Sequence, residues 1–502
     1  MMSTRLKVSK YKNLHIGKVV LVIPNFRWVK DWTEKTLWEV FPYNLCLIAA
    51  MIEDKYDVKI IDATIDNMSM NEFATVLQNE NPEVVGISVL TNEYGETGHI
   101  AAKIIKQIDE RIIIVFGGVY ATVSAEFIIK DNNIDYIVVG EGEYVFRNLL
   151  DYIYGRSETR PMMGIVYKEG RKEVFTGRAD FINNLDDLPF PAYRKIDFMK
   201  YAYRIPRESV DSPRELPYVR ILTSRGCPIG CCFCEVEHIS GKKFRYRSPE
   251  NVVDEMEWLR KTYGIKSILF DDDNLCLNKK RANAIFKKMI ERRLNLKWNA
   301  IAMSVYTLDD EMLELMKESG CQFIDIAIES GVERVLKEII KKPVDLDHAR
   351  KMIKKAKDLN IDLSANFIIG FPGETWSEIR QTIKFAEDID IDYVKIFIAT
   401  PLPKTKLYEM AKSGGYLKDG FDFGKHCWSY GQFRTDEFTP EDLAVLRAYE
   451  WDRINFSSSQ KRKKIAKMMD VTEERLNQII RNTLASVHSA IRHRGSSSKI
   501  SC

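Results

Sequence analysis

Nowhere in the 502 residues does an apolar run approach the roughly 18 consecutive residues that a membrane-spanning helix needs, which argues against a transmembrane helix. An excess of one charge is also missing, since 75 Lys and Arg face 72 Asp and Glu for a formal net charge of +3. Such a balance sets up no polyanion-binding field, so nucleic acid is not the default partner. The first apolar run from the N-terminus, KVVLVIP at 18–24, reads as a strand rather than a secretory leader and predicts a cytoplasmic protein. Fixed-period repeats and long low-complexity tracts are absent from the sequence. The nine cysteines do not form the spread, even-numbered set of a secreted disulfide framework. Four of them (Cys227, Cys231, Cys232, Cys234) crowd together, while Cys46, Cys276, Cys321, Cys427 and Cys502 are scattered, a distribution that points to metal.

What the chain does contain is a long alternation of strand-like and helical patterns. Runs at 18–24, 57–64, 83–90, 111–118 and 135–143 are short, continuous and β-branched, and helical spacing fills the gaps, as in 44–55 and 96–110. This pattern predicts an α/β unit with a doubly wound, Rossmann-like parallel sheet. Ligands of such sheets bind at the carboxyl ends of strands, which here carry Ser88, Gly117-Gly118 and Gly140-Glu141-Gly142. Residues 155–215 read as a connector with a hairpin at 164–175 and a proline-rich turn at 183–194. A second α/β series follows, with strands expected at 218–227, 267–274, 297–303, 322–331, 362–374 and 393–403. Six such units predict a partial (β/α)6 barrel with its active face at the strand C-termini. The rest of the chain reads as a small helical C-terminal region, whose basic clusters at 460–467 and 490–499 are expected to be solvated helix faces. The expected divisions are 17–154, 155–215, 216–430 and 431–502.

The strongest chemical signal is RGCPIGCCFCEVE, which places Cys227, Cys231 and Cys234 at C-x3-C-x2-C spacing. Three thiolates on one short loop suit three corners of a four-iron cubane, leaving one iron without a protein thiolate. An open iron accepts a small chelating ligand through an amine and a carboxylate. Zinc held by Cys227, Cys231, Cys234 and His238 is the alternative left open by spacing. Cys232 breaks the pattern and is expected to face away. The run Asp271-Asp272-Asp273 resembles a magnesium or calcium site. Adjacent residues of an extended chain point to opposite sides, so a polar contact near substrate is the better expectation.

The cysteine loop, with Phe233 as the aromatic before the last cysteine, resembles the signature of the radical S-adenosylmethionine (SAM) enzymes. FDDDN (270–274), IESG (328–331), IIGFPGET (368–375) and TPLPKTKLYE (400–409) follow in the family's order, although Lys404 replaces a usual glycine. Upstream, GGVYAT, VVGEGE and DDLPFPAYR resemble the cobalamin-binding domain fused to many of these enzymes, so that about 17–430 is similar to the B12-dependent radical SAM class. The histidine motif D-x-H-x-x-G, which ligates cobalt from below, is missing after the first strand, a departure that members of this class accommodate.

The resemblance implies a [4Fe-4S] cluster, SAM and cobalamin as cofactors. It implies that Cys227, Cys231 and Cys234 hold the cluster and that SAM chelates the remaining iron and yields a 5′-deoxyadenosyl radical. Phe233 would lie by the adenine. Glu329 and Ser330 would bond the ribose or amino group, with Asn366 as a further SAM contact. Gly370, Pro372 and Gly373 would let the backbone approach the adenine. Cobalamin is expected at Ser88, Thr91, Gly117, Gly118, Gly140, Glu141 and Gly142, and the aromatic segment Trp28, Trp32, Trp38, Phe41, Tyr43 could cover a corrin face. The implied activity is methylation of an unactivated carbon, or of a phosphinate phosphorus, in a small metabolite, peptide or lipid, with electrons from a donor such as flavodoxin or ferredoxin. Cyclisation or rearrangement without methylation, and a non-catalytic corrinoid sensor, are the alternatives. A tRNA methylthiotransferase would need three further cluster cysteines before Cys227, where only Cys46 occurs.

Overall fold

A computed structural model of the chain describes residues 16–29, 41–160, 163–203, 209–418, 420–425 and 430–497, with side chains through 485 apart from Lys425. The first apolar runs form β1 (Lys18–Ile23), β2 (Asp57–Asp62), β3 (Val84–Ser88), β4 (Ile113–Gly117) and β5 (Tyr136–Val138), all parallel and ordered β2-β1-β3-β4-β5. Four successive residues of β4, Ile113 to Phe116, are buried, which is why this strand reads as a continuous apolar run instead of alternating. The expected strand at 135–143 is shorter, because Gly140 turns at φ 88° and Gly142 opens the helix Gly142–Ile153.

The hairpin that the sequence assigns to the connector extends this sheet. β6 (Ile165–Glu169) pairs antiparallel with β5, and β7 (Lys172–Phe175) pairs with β6. A hairpin can join an edge through one tight turn, here at Gly170 with φ 63°, and it covers backbone groups that β5 would otherwise leave unpaired. The sheet is therefore mixed at this end. The unit runs to Phe198 and includes the short pieces 238–241 and 423–425.

The second unit is built on β8 (Tyr218–Ile221), β11 (Ser267–Phe270), β12 (Lys297–Ser304), β13 (Cys321–Glu329), β14 (Asp362–Ile369) and β15 (Tyr393–Ile398), parallel neighbours in chain order. The expected strand 218–227 is split. After β8, β9 (Ser224–Arg225) turns away and pairs antiparallel with β10 (Arg245–Tyr246), clamping the base of the cysteine-bearing segment. Strand parity separates the two faces. Trp298 stacks on Phe286 of the helix Lys279–Glu291 at 5.1 Å, and Phe367 meets Phe385 of the helix Trp376–Asp388 at 6.3 Å. Their strand neighbours Asn299 and Asn366 consequently face the interior of the half-barrel.

The helix Pro440–Phe456 covers β15, the last strand of the sheet. Asn455 accepts from the Val394 amide at 2.8 Å and donates to the Val394 carbonyl at 2.9 Å, and Trp451 Nε1 donates to Tyr393 Oη at 3.0 Å. In the basic stretch after it, Lys461 and Arg462 bond the carbonyls of Ile454 and Phe456, and Lys464 pairs with Asp392 at 2.6 Å. Those cations serve the fold; the second cluster, at 490–499, lies outside the described side chains. Among the described residues no helix is long and apolar enough to cross a membrane.

Candidate functional site

The cysteine loop is fixed at several points. Asp273 Oδ2 accepts from the Gly226 amide at 2.8 Å, one residue before Cys227. Cys232 donates its amide to the Ile340 carbonyl (3.0 Å), and its own carbonyl accepts from the Leu407 amide (2.8 Å). Cys232 is 2% exposed, whereas the other three are partly exposed. Among the described cysteines, only Cys227, Cys231 and Cys234 are partly exposed; Cys46, Cys232, Cys276 and Cys321 are buried. Burial pushes the Cys231 thiol up to about 11 and the Cys234 thiol up to about 12, and the neighbouring thiols push each in the same direction. Loading the loop therefore requires iron to displace protons from thiols that hold them at neutral pH.

No three His, Cys, Asp or Glu side chains among the described residues converge on a point where a single ion would sit. Three cysteines on one short loop suit a cubane, which holds its thiolates at separate corners and leaves its fourth iron open to a ligand.

The three aspartates divide their work. Asp271 pairs with Arg220 at 2.9 Å. Asp272, 4% exposed, accepts from the Thr223 amide and hydroxyl and from Ser224 Oγ at 2.9, 2.8 and 2.5 Å. Asp273 holds Gly226, as above. They anchor the turn into the cysteine loop and do not form a cation site.

Around the mouth of the half-barrel, Phe233 lies 6.2 Å from Phe371 of the GFPGE turn. Gly370 and Gly373 take φ 85° and 83°, backbone shapes that favour glycine. Glu374 secures this turn by accepting the Gly370 and Phe371 amides on Oε2 at 2.7 and 3.0 Å, while Oε1 is buried without a partner. Burial raises the Glu374 carboxyl to about 7. A carboxyl with its folded value above the unfolded one stabilises the fold fully at low pH, and that contribution is lost as pH rises through 7. Glu374→Gln keeps an acceptor for both amides and removes the titration. Its melting temperature should exceed that of the parent at pH 8, by an amount of the order of 3 kcal/mol in stability, and match it near pH 5. Equal differences at both pH values would count against this reading.

Glu329 and Ser330 end β13. Glu329 is 5% exposed, adopts φ 74°, and pairs through Oε1 with Lys342 Nζ at 2.7 Å. The Ser330 hydroxyl lies 3.0 Å from Thr382 Oγ1 and accepts from the Val332 amide at 3.2 Å, so its side chain braces the turn that ends this strand. Asn366 donates Nδ2 to Asp325 Oδ2 at 2.6 Å, while its Oδ1 is buried with no partner, an acceptor awaiting a donor. Deeper in the interior, Lys395 joins Asp211 (2.6 and 2.8 Å) to Asp325 (3.3 Å), and Asp325 also accepts from Ser364. Sequence reasoning missed Lys342 and this Asp211–Lys395–Asp325 cluster. A lysine inside the apolar run YVKIFI was the available signal.

In the first unit, Ser88, Gly117 and Gly118 meet at the ends of β3 and β4. A Cβ on Gly118, at φ 90°, would lie 2.8 Å from the Val89 carbonyl oxygen and 2.9 Å from Ser88 Oγ, whereas one on Gly117 would meet nothing within 4 Å. Thr91 Oγ1, just beyond β3, is buried without a partner. The Gly140 amide donates to Thr122 Oγ1 at 3.0 Å, and that hydroxyl donates to the Gly118 carbonyl at 2.9 Å, tying the ends of β4 and β5 together. Glu141 accepts from the Ile182 amide at 2.7 Å and so braces the chain after the hairpin. A Cβ on Gly142 would make ordinary contacts with Ile48 and Val138, so glycine is not required there. Of the aromatics, Trp28 packs on Phe73 and donates to the Met68 carbonyl, and Phe41 packs on Tyr193 and Phe198. Tyr43 begins a helix and is buried, while Trp32 and Trp38 lie outside the described residues. His99 has both ring nitrogens engaged, by Asp131 (2.7 Å) and Tyr120 (3.2 Å), which removes it as a cobalt ligand. The open Gly117 position and the orphaned Thr91 hydroxyl fit a corrinoid tail passing between strand ends.

A six-stranded parallel half-barrel with three partly exposed cysteines after its first strand, on a chain that also carries a parallel-sheet unit with open strand ends, defines a radical SAM enzyme of the corrinoid-bearing kind. Residues 221–386 match the radical SAM superfamily and 33–150 match the B12 binding domain. An uncharacterized methyltransferase of Pyrococcus horikoshii is 34% identical over 86% of this chain and 91% of its own length. The cytidylyl-2-hydroxyethylphosphonate methyltransferase of Streptomyces wedmorensis is 29% identical over 82% of this chain and 84% of its own. The solved structure of the radical SAM methyltransferase TsrM from Kitasatospora setae, with cobalamin and a [4Fe-4S] cluster bound, superposes with a TM-score of 0.64 at 18% identity, covering 80% of this chain and 76% of that one. The chain belongs to the B12-dependent radical SAM family. It is an enzyme of the methyltransferase kind, with a [4Fe-4S] cluster, SAM and cobalamin as its cofactors.

Proposed function

We propose that this enzyme transfers a methyl group to an unactivated carbon, or to a phosphinate phosphorus, of a small organic metabolite. The observation that carries the proposal is the set of three partly exposed cysteines on one clamped loop, with the other described cysteines, Cys232 of the same loop included, buried. When bound, the cofactors supply a 5′-deoxyadenosyl radical and a cobalt-borne methyl group, the combination that reaches an atom with no nucleophilicity of its own. In this reading Cys227, Cys231 and Cys234 hold the cluster. Glu329 Oε2, Asn366 Oδ1 and the Gly370–Gly373 backbone bind SAM, with Phe233 beside the adenine. Ser88, Thr91, Gly117, Gly118 and Gly140 receive cobalamin. Residues 17–154 serve cobalamin, 216–430 serve the radical chemistry, and an electron enters from a small donor such as flavodoxin or ferredoxin. The phosphonate named for the Streptomyces relative supports a small substrate over a macromolecular one. Free thiols and a reductant-dependent reaction suit the cytoplasm.

The test is anaerobic reconstitution with iron, sulfide and hydroxocobalamin, then incubation with SAM and dithionite. Formation of both 5′-deoxyadenosine and S-adenosylhomocysteine is the expected result. Deoxyadenosine alone would point to cyclisation or rearrangement, and neither product, from a protein that binds corrinoid, to a sensor.

A further inference from the structure

Lys342 lies just beyond the π-helical turn Val335–Ile340, in a stretch with no motif of its own. Its Nζ donates to the Ala327 carbonyl at 2.8 Å and to Glu329 Oε1 at 2.7 Å, and both side chains of the pair are 6% exposed. These two acceptors straddle the register shift at which β13 slips against β14, between Ala327 and Glu329. Glu329 stands there at φ 74°, a left-handed conformation unfavourable for a non-glycine residue, which persists only where its surroundings hold it.

The lysine is itself held. Its amide donates to the Leu336 carbonyl and its carbonyl accepts from Val344, both at 2.9 Å, while Ile340 in the same turn accepts from Cys232 of the cluster loop at 3.0 Å. One short segment thus bonds the cysteine loop through its backbone and the end of β13 through Lys342. Glu329 Oε2 makes no hydrogen bond among the described residues. We propose that Lys342 is a positioning residue for SAM: it grips one carboxylate oxygen of Glu329 and so fixes the other as the acceptor presented to the cofactor. This rests on the SAM role proposed above for Glu329.

The test uses the full chain with reconstituted cluster and cobalamin. SAM affinity is measured by equilibrium dialysis, alongside the change that SAM induces in the electron paramagnetic resonance spectrum of the reduced cluster. Lys342→Met should bind SAM about ten- to a hundredfold more weakly, the range of a lost charge-assisted hydrogen bond, and lose that spectral change with iron content intact. Lys342→Arg should recover part of the affinity. Glu329→Gln should weaken binding as well, and the double variant Glu329→Gln/Lys342→Met, which leaves no unpaired buried charge, should be no weaker than Glu329→Gln alone. Full SAM affinity in Lys342→Met beside a weakened Glu329→Gln would overturn the role of the lysine while sparing that of the glutamate. Full affinity in both single variants would remove Glu329 from the SAM site. Additive losses, or loss of iron from Lys342→Met, would show that the lysine acts elsewhere.

Discussion

Cys231→Ala protein, reconstituted without air, is expected to form no detectable 5′-deoxyadenosine while still binding hydroxocobalamin. The three partly exposed thiols are the only described sulfurs available to a cluster on this loop, and the middle one cannot be replaced by Cys232, which is 2% exposed and bonded through its backbone to Ile340 and Leu407. With two thiolates the cubane loses a corner, and the iron that SAM must chelate is no longer presented in one place. The corrinoid residues proposed above sit at the ends of β3, β4 and β5, in a sheet with its own buried core of Val20, Ile87, Ile114 and Phe116, so they should be indifferent to the change. Cys232→Ala is the matched control. It removes a neighbouring sulfur without a proposed ligand and should keep activity within about twofold, since its cost is a small buried volume. Deoxyadenosine production by Cys231→Ala would refute the cluster assignment, and loss of corrinoid from a folded variant would refute the separation of the two sites.

Why these residues were visible in sequence, and others were not, follows from the range of the interactions involved. The cysteines lie within one turn-rich loop, and their spacing states the chemistry directly. The strands of both units show as apolar runs because helices bury them, and the order of short motifs after β11, β13 and β14 could be read from the chain alone. Long-range pairings were hidden. The hairpin at 164–175 looked like a connector because nothing local says that β5 has an edge to cover. The bracing of Ser330 by Thr382 spans 52 residues and has no local sign. Lys395 and Asp211 are separated by 184 residues, and only strand parity, with Asp325, Asn366 and Lys395 all facing inward, hinted that they would meet.

That interior cluster sets the largest expected loss of stability. Lys395 is the cation between Asp211 and Asp325, with 17% of its side chain exposed against 25% and 5% for the two carboxylates. Burial and Asp325 raise the Asp211 carboxyl, and Lys395 works against them. Lys395→Met preserves the aliphatic stem but leaves two acids facing each other away from bulk water. Breaking a buried pair in this way costs about 3–5 kcal/mol, against about 0–1 kcal/mol for the many surface pairs on the helices. The sign of the pH dependence follows. Without the lysine to oppose it, the Asp211 carboxyl should be raised further, so it is neutral and tolerated at low pH and ionised at cost at high pH. Urea unfolding should show a deficit that is larger at pH 8 than at pH 5. Asn366 hangs from Asp325 through Nδ2, so at pH 8 the variant should also bind SAM more weakly, a link between the floor of the half-barrel and its mouth. Lys395→Met/Asp325→Asn removes one of the two charges and should recover most of the stability at pH 8. A single variant with a deficit under about 1 kcal/mol at both pH values would mean that water already screens these groups and that the cluster does not organise the interior.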